Sequence, residues 1–365
     1  MAKEKKKIEL LPWSFQFELV EGCNRACAFC GIHAIRDMKK GEGSLYKYME
    51  LDVHRKLVSE IAEWRPKARV EYNNHGEPTL HPHFFDMIRT HRELAPQNSI
   101  QVQTNCHVMF GKDLDIQHAF EFIKKSFTVG VNLFVANGYN RKFYKTLLQM
   151  NEAGIFDSIP GLTVVDFYND NPKNLSPYHN YGPKKKILFI MDDLAYVQDK
   201  SPKASRLILN EAGSTPKSYM EKVMGQEPFV GPLAKPCTRV FREMTFAWNG
   251  IVPICCYDWK NAFILGNAAE EYIKDIWFGS TWMTIRGLLS RKTKWRGFSP
   301  CDLCNYNGGF RVGLLPEVPE VVPDADTMLK LIEHMQEYAE YQYPSKMYHI
   351  GGILYRLGKH YDFKG

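Results

Sequence analysis

The sequence predicts an α/β chain: a partial (β/α)6 TIM-like barrel, then a small cysteine-rich C-terminal unit and a helical tail. Three observations predict it. Strand-like and helix-like hydrophobic patterns alternate about six times in the first half, and repeated βα units imply a parallel sheet with right-handed crossovers. About eight such units would be needed to close a barrel, so the smaller number predicts a partial one. Finally, Cys237, Cys255, Cys256, Cys301 and Cys304 crowd into a loop-rich stretch that follows a polar segment punctuated by Pro202, Pro216, Pro228 and Pro232.

The elements follow in order. Phe15, Phe17 and Leu19 alternate with polar residues and predict a strand ending just before Cys23. Leu51, Leu57, Val58, Ile61 and Trp64 lie at helical spacing. Ala68–Tyr72 reads as the next strand, Phe84, Phe85, Ile88 and Leu94 as a helix, and Ser99–Thr104 as a third strand. Ile116, Ala119, Phe120 and Ile123 form another helical face, and Val131–Ala136 another strand. Phe143, Leu147 and Met150 continue as a helix with Gly154 as its C-cap. Gly161–Phe167 and Ile187–Met191 are the last strands of the barrel, with residues 168–186 as a loop between them. The predicted division is a barrel at 12–200, a linker at 201–235, a cysteine-rich unit at 236–313 and a helical tail at 324–365. Pro316, Pro319 and Pro323 set off the tail.

Composition narrows the function classes. Of 365 residues, 44% are hydrophobic and 24% charged, which is ordinary for a globular protein and excludes a mainly disordered chain. The net charge of +6 admits a nucleic-acid partner without requiring one. No run of about 18 apolar residues is present, so no membrane span is expected. Trp13 to Val20 alternates instead of forming the apolar run of a signal peptide. An odd number of cysteines in short motifs favours a reducing, cytoplasmic location and bound metal over disulfides.

Parallel α/β folds carry their chemistry at the carboxyl ends of strands, and Cys23, Glu77 and Asn105 each fall just after a predicted strand. Cys23-Asn24-Arg25-Ala26-Cys27-Ala28-Phe29-Cys30 offers three thiols in one loop. Thiolates suit iron and zinc alike. With His33 as a fourth ligand the loop could close a zinc site. It could also hold three irons of a 4Fe–4S cluster and leave the fourth open to a small molecule. A redox pair of Cys27 and Cys30 would leave Cys23 unexplained. Farther on, Cys237, Cys255, Cys301 and Cys304 could close either a 4Fe–4S cluster or an all-cysteine zinc site, and spacing alone admits both. Cys256, directly after Cys255, cannot easily reach the same iron and reads as a buried thiol.

The three-cysteine loop, with Phe29 before its last cysteine, resembles the signature of the radical S-adenosylmethionine (SAM) enzymes. The resemblance implies a SAM-binding 4Fe–4S cluster on Cys23, Cys27 and Cys30. In that family the reduced cluster cleaves SAM to methionine and a 5′-deoxyadenosyl radical, which takes a hydrogen atom from the substrate. His75-Gly76-Glu77-Pro78 resembles the family's Gly-Glu-Pro segment, with His75 where glycine is more usual. This implies Gly76, Glu77 and Pro78 around the SAM amino group, with Glu77 accepting from the ammonium. Gln103-Thr104-Asn105 resembles a Thr-Asn-Gly segment and implies Asn105 near the SAM carboxylate or ribose. Cys106 stands at the glycine position and reads as a small buried residue. Val135-Ala136-Asn137-Gly138 resembles a Ser-x-Asp-Gly segment, with Val135 and Asn137 replacing its Ser and Asp.

Phe246 to Asp258, Leu265-Gly266-Asn267, Ile276-Trp277 and Ile285-Arg286 resemble the auxiliary-cluster domain of the SPASM and shorter twitch enzymes. That resemblance implies a second, auxiliary 4Fe–4S cluster on Cys237, Cys255, Cys301 and Cys304. No cysteine lies beyond Cys304 and position 310 is Phe310, so one auxiliary cluster is expected. The implied function is radical SAM oxidation of a small molecule or nucleotide, with an electron donor such as flavodoxin or ferredoxin. A peptide substrate is disfavoured because few residues precede the first strand. Two other classes compete: a zinc- or cluster-bearing binding protein without catalysis, and a redox relay that does not use SAM.

Overall fold

The computed structural model describes residues 9–24, 46–105, 107–111, 115–128, 132–135, 141–159, 165–168, 187–190, 237–290, 300–301, 304 and 323–331. The chain opens with β1 (Ser14–Phe17), and then β2 (Val20–Glu21) pairs antiparallel with β3 (Lys47–Tyr48). Leu57, Val58 and Ile61 form the buried stripe of α1 (Leu51–Trp64). Next come β4 (Arg69–Tyr72), α2 (Phe84–Leu94), β5 (Ser99–Thr104), α3 (His107–Phe110) and α4 (Ile116–Thr128). β6 (Asn132–Val135) and α5 (Arg141–Glu152) continue the alternation, and Gly154 after α5 takes the left-handed conformation expected of a C-terminal glycine. Then follow β7 (Val165–Tyr168), β8 (Ile187–Ile190), β9 (Glu243–Phe246), β10 (Ile251–Pro253) and β11 (Ile264–Asn267). α6 (Ile273–Phe278) and α7 (Ser280–Leu289) complete the named elements, and residues 325–331 are helical.

Seven strands form one sheet in the order β7-β8-β6-β5-β4-β1-β9, with every neighbouring pair parallel. The sheet has two ends among the described residues, as in a partial barrel. Three features depart from the sequence reading. β1 stops at Phe17, and the residues before Cys23 leave the sheet to make a two-stranded ribbon with residues 47–48. β8 lies inside β7, an order that the sequence reading does not assign. The sequence suits this order: Ile187-Leu188-Phe189-Ile190 is apolar throughout, as an interior parallel strand requires, whereas Val165-Asp166-Phe167-Tyr168 alternates.

The third departure concerns the C-terminal unit. β9 pairs with β1 in register from Ser14↔Glu243 to Phe17↔Phe246, so the sheet gains a seventh strand from beyond the predicted boundary at 236. Phe246 stacks on Phe15 at 6.2 Å and meets Phe17 edge-on at 5.1 Å. α1 grips the same unit: Lys56 Nζ donates to the carbonyls of Ala268 and Glu271, and Glu60 accepts from the Ile273 N–H. Trp64 packs against Trp277 and Phe278. The predicted linker at 201–235 lies outside the described residues. Of the predicted tail, residues 324–331 are described; Asp324 Oδ1 accepts from the Thr327 N–H at 2.8 Å and caps the helix there.

Strand alternation sends Phe15, Phe17, Val70, Tyr72, Ile100 and Val102 into the core. Registers place Gln16, Glu71, Gln101 and Thr245 in one row on the opposite face, and these are buried as well. Ser14, Arg69 and Asn73 satisfy the Glu71 carboxylate. Gln101 Nε2 and Asn73 Oδ1 have no partner among the described residues.

Behind β4, a buried hydrogen-bond chain joins α1, the sheet and α2. His54 Nε2 donates to Tyr72 Oη, which donates to His91 Nδ1; His91 Nε2 then donates to Asn98 Oδ1 at 3.0 Å. Asn98 Nδ2 donates onward to the carbonyls of Arg65 and Pro66. This one-way chain needs the His91 imidazole neutral, because its Nδ1 accepts. Burial, above all, lowers the pKa of His91 to about 3 and holds His54 well below the ordinary histidine value. The unfolded chain therefore binds more protons than the folded one between these values and the ordinary 6.5. Stability is present above that range and falls as pH falls. From pH 7 to 5, His91 alone should remove about 2 kcal/mol. Thermal melts across that range check this: Tm should fall with acid, and the part due to this site should vanish in His91→Gln.

Candidate functional site

β1, β4 and β5 run parallel, so the segments that follow them emerge at one edge of the sheet. The structure brings Cys23, Gly76, Glu77 and Asn105 together there. Asn105 Nδ2 donates to Cys23 Sγ at 3.3 Å and to Asn24 Oδ1 at 2.9 Å. The Asn105 N–H donates to Glu77 Oε2 at 2.7 Å, and Asn105 Oδ1 accepts from the His107 N–H at the start of α3. An N–H donor aimed at sulfur suits a thiolate ligand, so Cys23 fits an iron–sulfur role.

Glu77 is buried. Its Oε1 accepts from the Thr79 N–H, the Thr79 hydroxyl and the Thr104 hydroxyl, while Oε2 accepts from Asn105. Three donors thus converge on Oε1 and one on Oε2. The resemblance gave this side chain to an ammonium; in the structure it ties the end of β4 to the end of β5. Burial raises its pKa, and the bonds from Thr79, Asn105 and Thr104 only partly oppose the rise. Pro78, buried, opens the short 3-10 turn Pro78–Leu80 that Glu77 caps.

Gly76 makes the closest backbone approach. A Cβ there would lie 1.9 Å from the Val20 carbonyl oxygen and 2.5 Å from that of Gly22. The Glu77 N–H donates to the Gly22 carbonyl at 3.1 Å. The segment at 75–77 therefore lies directly against the stem from which Cys23 springs. Sequence reading missed that stem, the β2–β3 ribbon. Its signal was faint: two-residue strands, with Tyr46 and Tyr48 as the aromatic hint. Cys27, Phe29, Cys30, Cys106 and Asn137 lie outside the described residues.

The second cysteine set lies on the loops around Cys255, and among the described residues no three of its side chains are placed closely enough to hold a metal ion. Burial pushes the Cys255 thiol well up, and Cys256, Cys301, Cys304 and Cys237 push it further. A cationic centre bound to these thiols would oppose that rise, since bound thiols are deprotonated. Two features build this loop. Asp258, fully buried, accepts from the N–H groups of Ala262 and Phe263, both at 2.9 Å, and closes the turn after Cys255. Burial lifts its pKa to about 6 against those two bonds. The Cys237 N–H donates to the Leu289 carbonyl, so the end of α7 sets that cysteine. Cys256 is only partly buried, and Arg239 donates to its sulfur at 3.1 Å as well as to Tyr257 Oη and Glu243.

Residues 237–305 match the SPASM family, described as an iron–sulfur cluster-binding domain. This unit is a SPASM domain. Ahead of it, the three-cysteine loop and the Gly-Glu-Pro segment give the chain its resemblance to radical SAM enzymes with such a domain. A search of curated proteins finds no match. Among solved structures the chain is similar to BtrN in complex with AdoMet and 2-DOIA, at 17% identity and a TM-score of 0.49, over 81% of this chain and 94% of that one. It is similar to anSMEcpe with bound AdoMet at 15% identity and a TM-score of 0.45, over 96% and 98% of the two chains. It is also similar to Streptococcus suis SuiB bound to the precursor peptide SuiA, at 14% and 0.39, over 86% and 75%. The SPASM domain of this chain is continuous with the sheet through β9, so both cysteine sites share one framework. Among the described residues no helix is long and apolar enough to cross a membrane.

Proposed function

We propose that this chain is a radical SAM enzyme with one auxiliary 4Fe–4S cluster in its SPASM domain. The observation that carries the reading is the knot of Cys23, Gly76, Glu77 and Asn105 at one sheet edge, beside a SPASM domain with four further thiols. Cys23, Cys27 and Cys30 would hold the SAM-binding 4Fe–4S cluster, with Phe29 beside it. Cys237, Cys255, Cys301 and Cys304 would hold the auxiliary one. With SAM bound, a cluster on these cysteines would supply the one-electron reductive chemistry for hydrogen-atom abstraction.

This chain's own residues orient that chemistry. Gly76 lets the backbone of 75–77 approach the β2 stem ahead of Cys23, and that backbone, with its carbonyls, would receive the SAM ammonium. Glu77 fixes the segment from behind, and Pro78 starts the turn that leads away. Asn105 steers the Cys23 sulfur and borders the SAM carboxylate or ribose. Full ligation by four thiolates leaves no auxiliary iron for substrate, which supports electron acceptance and a net oxidation. The barrel occupies 12–200 and gains β9 from the 236–313 unit. A flavodoxin or ferredoxin would deliver the electron.

The substrate is a small polar molecule or nucleotide. The buried row of Gln16, Glu71, Gln101 and Thr245, with orphan atoms on Gln101 and Asn73, supports a hydrogen-bonding ligand over an apolar one. The test is anaerobic reconstitution with iron and sulfide, then SAM and dithionite, with 5′-deoxyadenosine as the readout. The wild type should form it, and Cys23→Ala and Cys27→Ala should not. A protein that takes up zinc and no iron would overturn the reading.

A further inference from the structure

We infer that His75 is a positioning residue for the auxiliary cluster, clamping the Cys255–Cys256 loop to the SAM-binding segment; this rests on the reading above. His75 stands directly before Gly76, and its ring reaches Cys256 in the SPASM domain. Its Nε2 donates to the Cys256 carbonyl at 3.0 Å, and its Nδ1 lies 3.1 Å from Glu18 Oε1. His75 and Glu18 are both buried.

Glu18 is held in turn. Its Oε2 accepts from the Trp248 N–H at 3.2 Å, and Trp248 Nε1 donates to Glu21 Oε2 at 2.9 Å. Lys47 pairs with Glu21 and lies over the Trp248 ring. One continuous chain thus runs from the β2–β3 stem below Cys23, through Trp248 and Glu18, to His75 and the peptide that follows Cys255. Every link joins groups distant in sequence. Cys256 O is the carbonyl one residue beyond a proposed ligand, so its direction affects how the Cys255 sulfur is presented.

Glycine at position 75, the residue more usual at this place in the resemblance, has no side chain to make this contact. The clamp therefore belongs to this chain's own residues. Outer-shell hydrogen bonds of this kind orient ligands and tune cluster potentials. A carbonyl that loses its donor is left with an uncompensated negative end next to Cys255, which would lower the potential of a cluster held there.

The test is an EPR-monitored redox titration of the reconstituted full chain, with Cys27→Ala in every sample so that the auxiliary signal stands alone. In that background His75→Gly should lower the midpoint potential and change the g values while auxiliary iron stays at its wild-type level. His75→Gln, which keeps a donor, should return part of the way. Where His75→Gly fails to fold, as circular dichroism would show, His75→Gln and Glu18→Gln carry the test. Unchanged potential and g values in the folded variants, with full iron, overturn the inference and leave the proposed function standing. An unsubstituted chain that binds no iron at the C-terminal cysteines overturns both.

Discussion

Gly76→Ala should abolish 5′-deoxyadenosine formation and destabilise the fold. The new Cβ would sit 1.9 Å and 2.5 Å from two backbone oxygens, those of Val20 and Gly22. Backbone cannot yield as a side-chain tip can, so either the β2 stem or the 75–77 segment must move. Overpacking of this kind costs about 3 kcal/mol. The displacement also breaks the bond from the Glu77 N–H to the Gly22 carbonyl and shifts Cys23 against Asn105. A misplacement of about 1 Å at a reacting centre costs on the order of a hundredfold in rate. Parallel measurements of Tm and deoxyadenosine yield decide the matter. A variant with wild-type melting and wild-type turnover would contradict the close approach.

Arg286→Ala should be the most damaging single change in the SPASM domain. Arg286 is fully buried and carries no acidic partner among the described residues. Its guanidinium stacks 4.0 Å from the Trp277 ring and 4.8 Å from that of Trp282. Its Nε donates to the Val240 carbonyl, and Nη1 donates to the Trp277 carbonyl near the end of α6. Truncation leaves a cavity between two indoles and strands the Trp277 carbonyl, at a cost of about 4 kcal/mol. For a chain of this size that is a fall of roughly 5 °C in Tm. The same side chain seats α7, whose Leu289 carbonyl holds the Cys237 N–H, so iron at the C-terminal cysteines should fall as well. Arg286→Lys should recover little, because one ammonium cannot stack on both rings and reach both carbonyls. Melting curves and iron analysis of the two variants test this.

Much of the site was legible because its residues carry short-range signals. Cysteine spacing, the Gly-Glu-Pro turn and the asparagine after Ser99–Thr104 each fall within a few residues of a strand end, and parallel strands bring such ends to one edge. The part played by Glu77 was not legible. From sequence it was a carboxylate offered to a ligand, and only the fold shows Thr79 and Thr104 donating to one of its oxygens and Asn105 to the other. Nor could local pattern foretell the buried polar row. Gln16 and Glu71 read as the solvent side of alternating strands, yet a curled parallel sheet covers both faces.

What the sequence determined by itself was the parallel α/β class, the alternation from Ser14 to Glu152 and the two cysteine sets. These follow from hydrophobic period and ligand spacing, which are local properties of the chain. The tertiary structure decided the rest: β9 as a seventh strand beside β1, β8 inside β7, and the contact of His75 with Cys256. Each of those joins residues far apart in the chain. Their energies depend on which surfaces meet after folding, and no window along the sequence contains both partners.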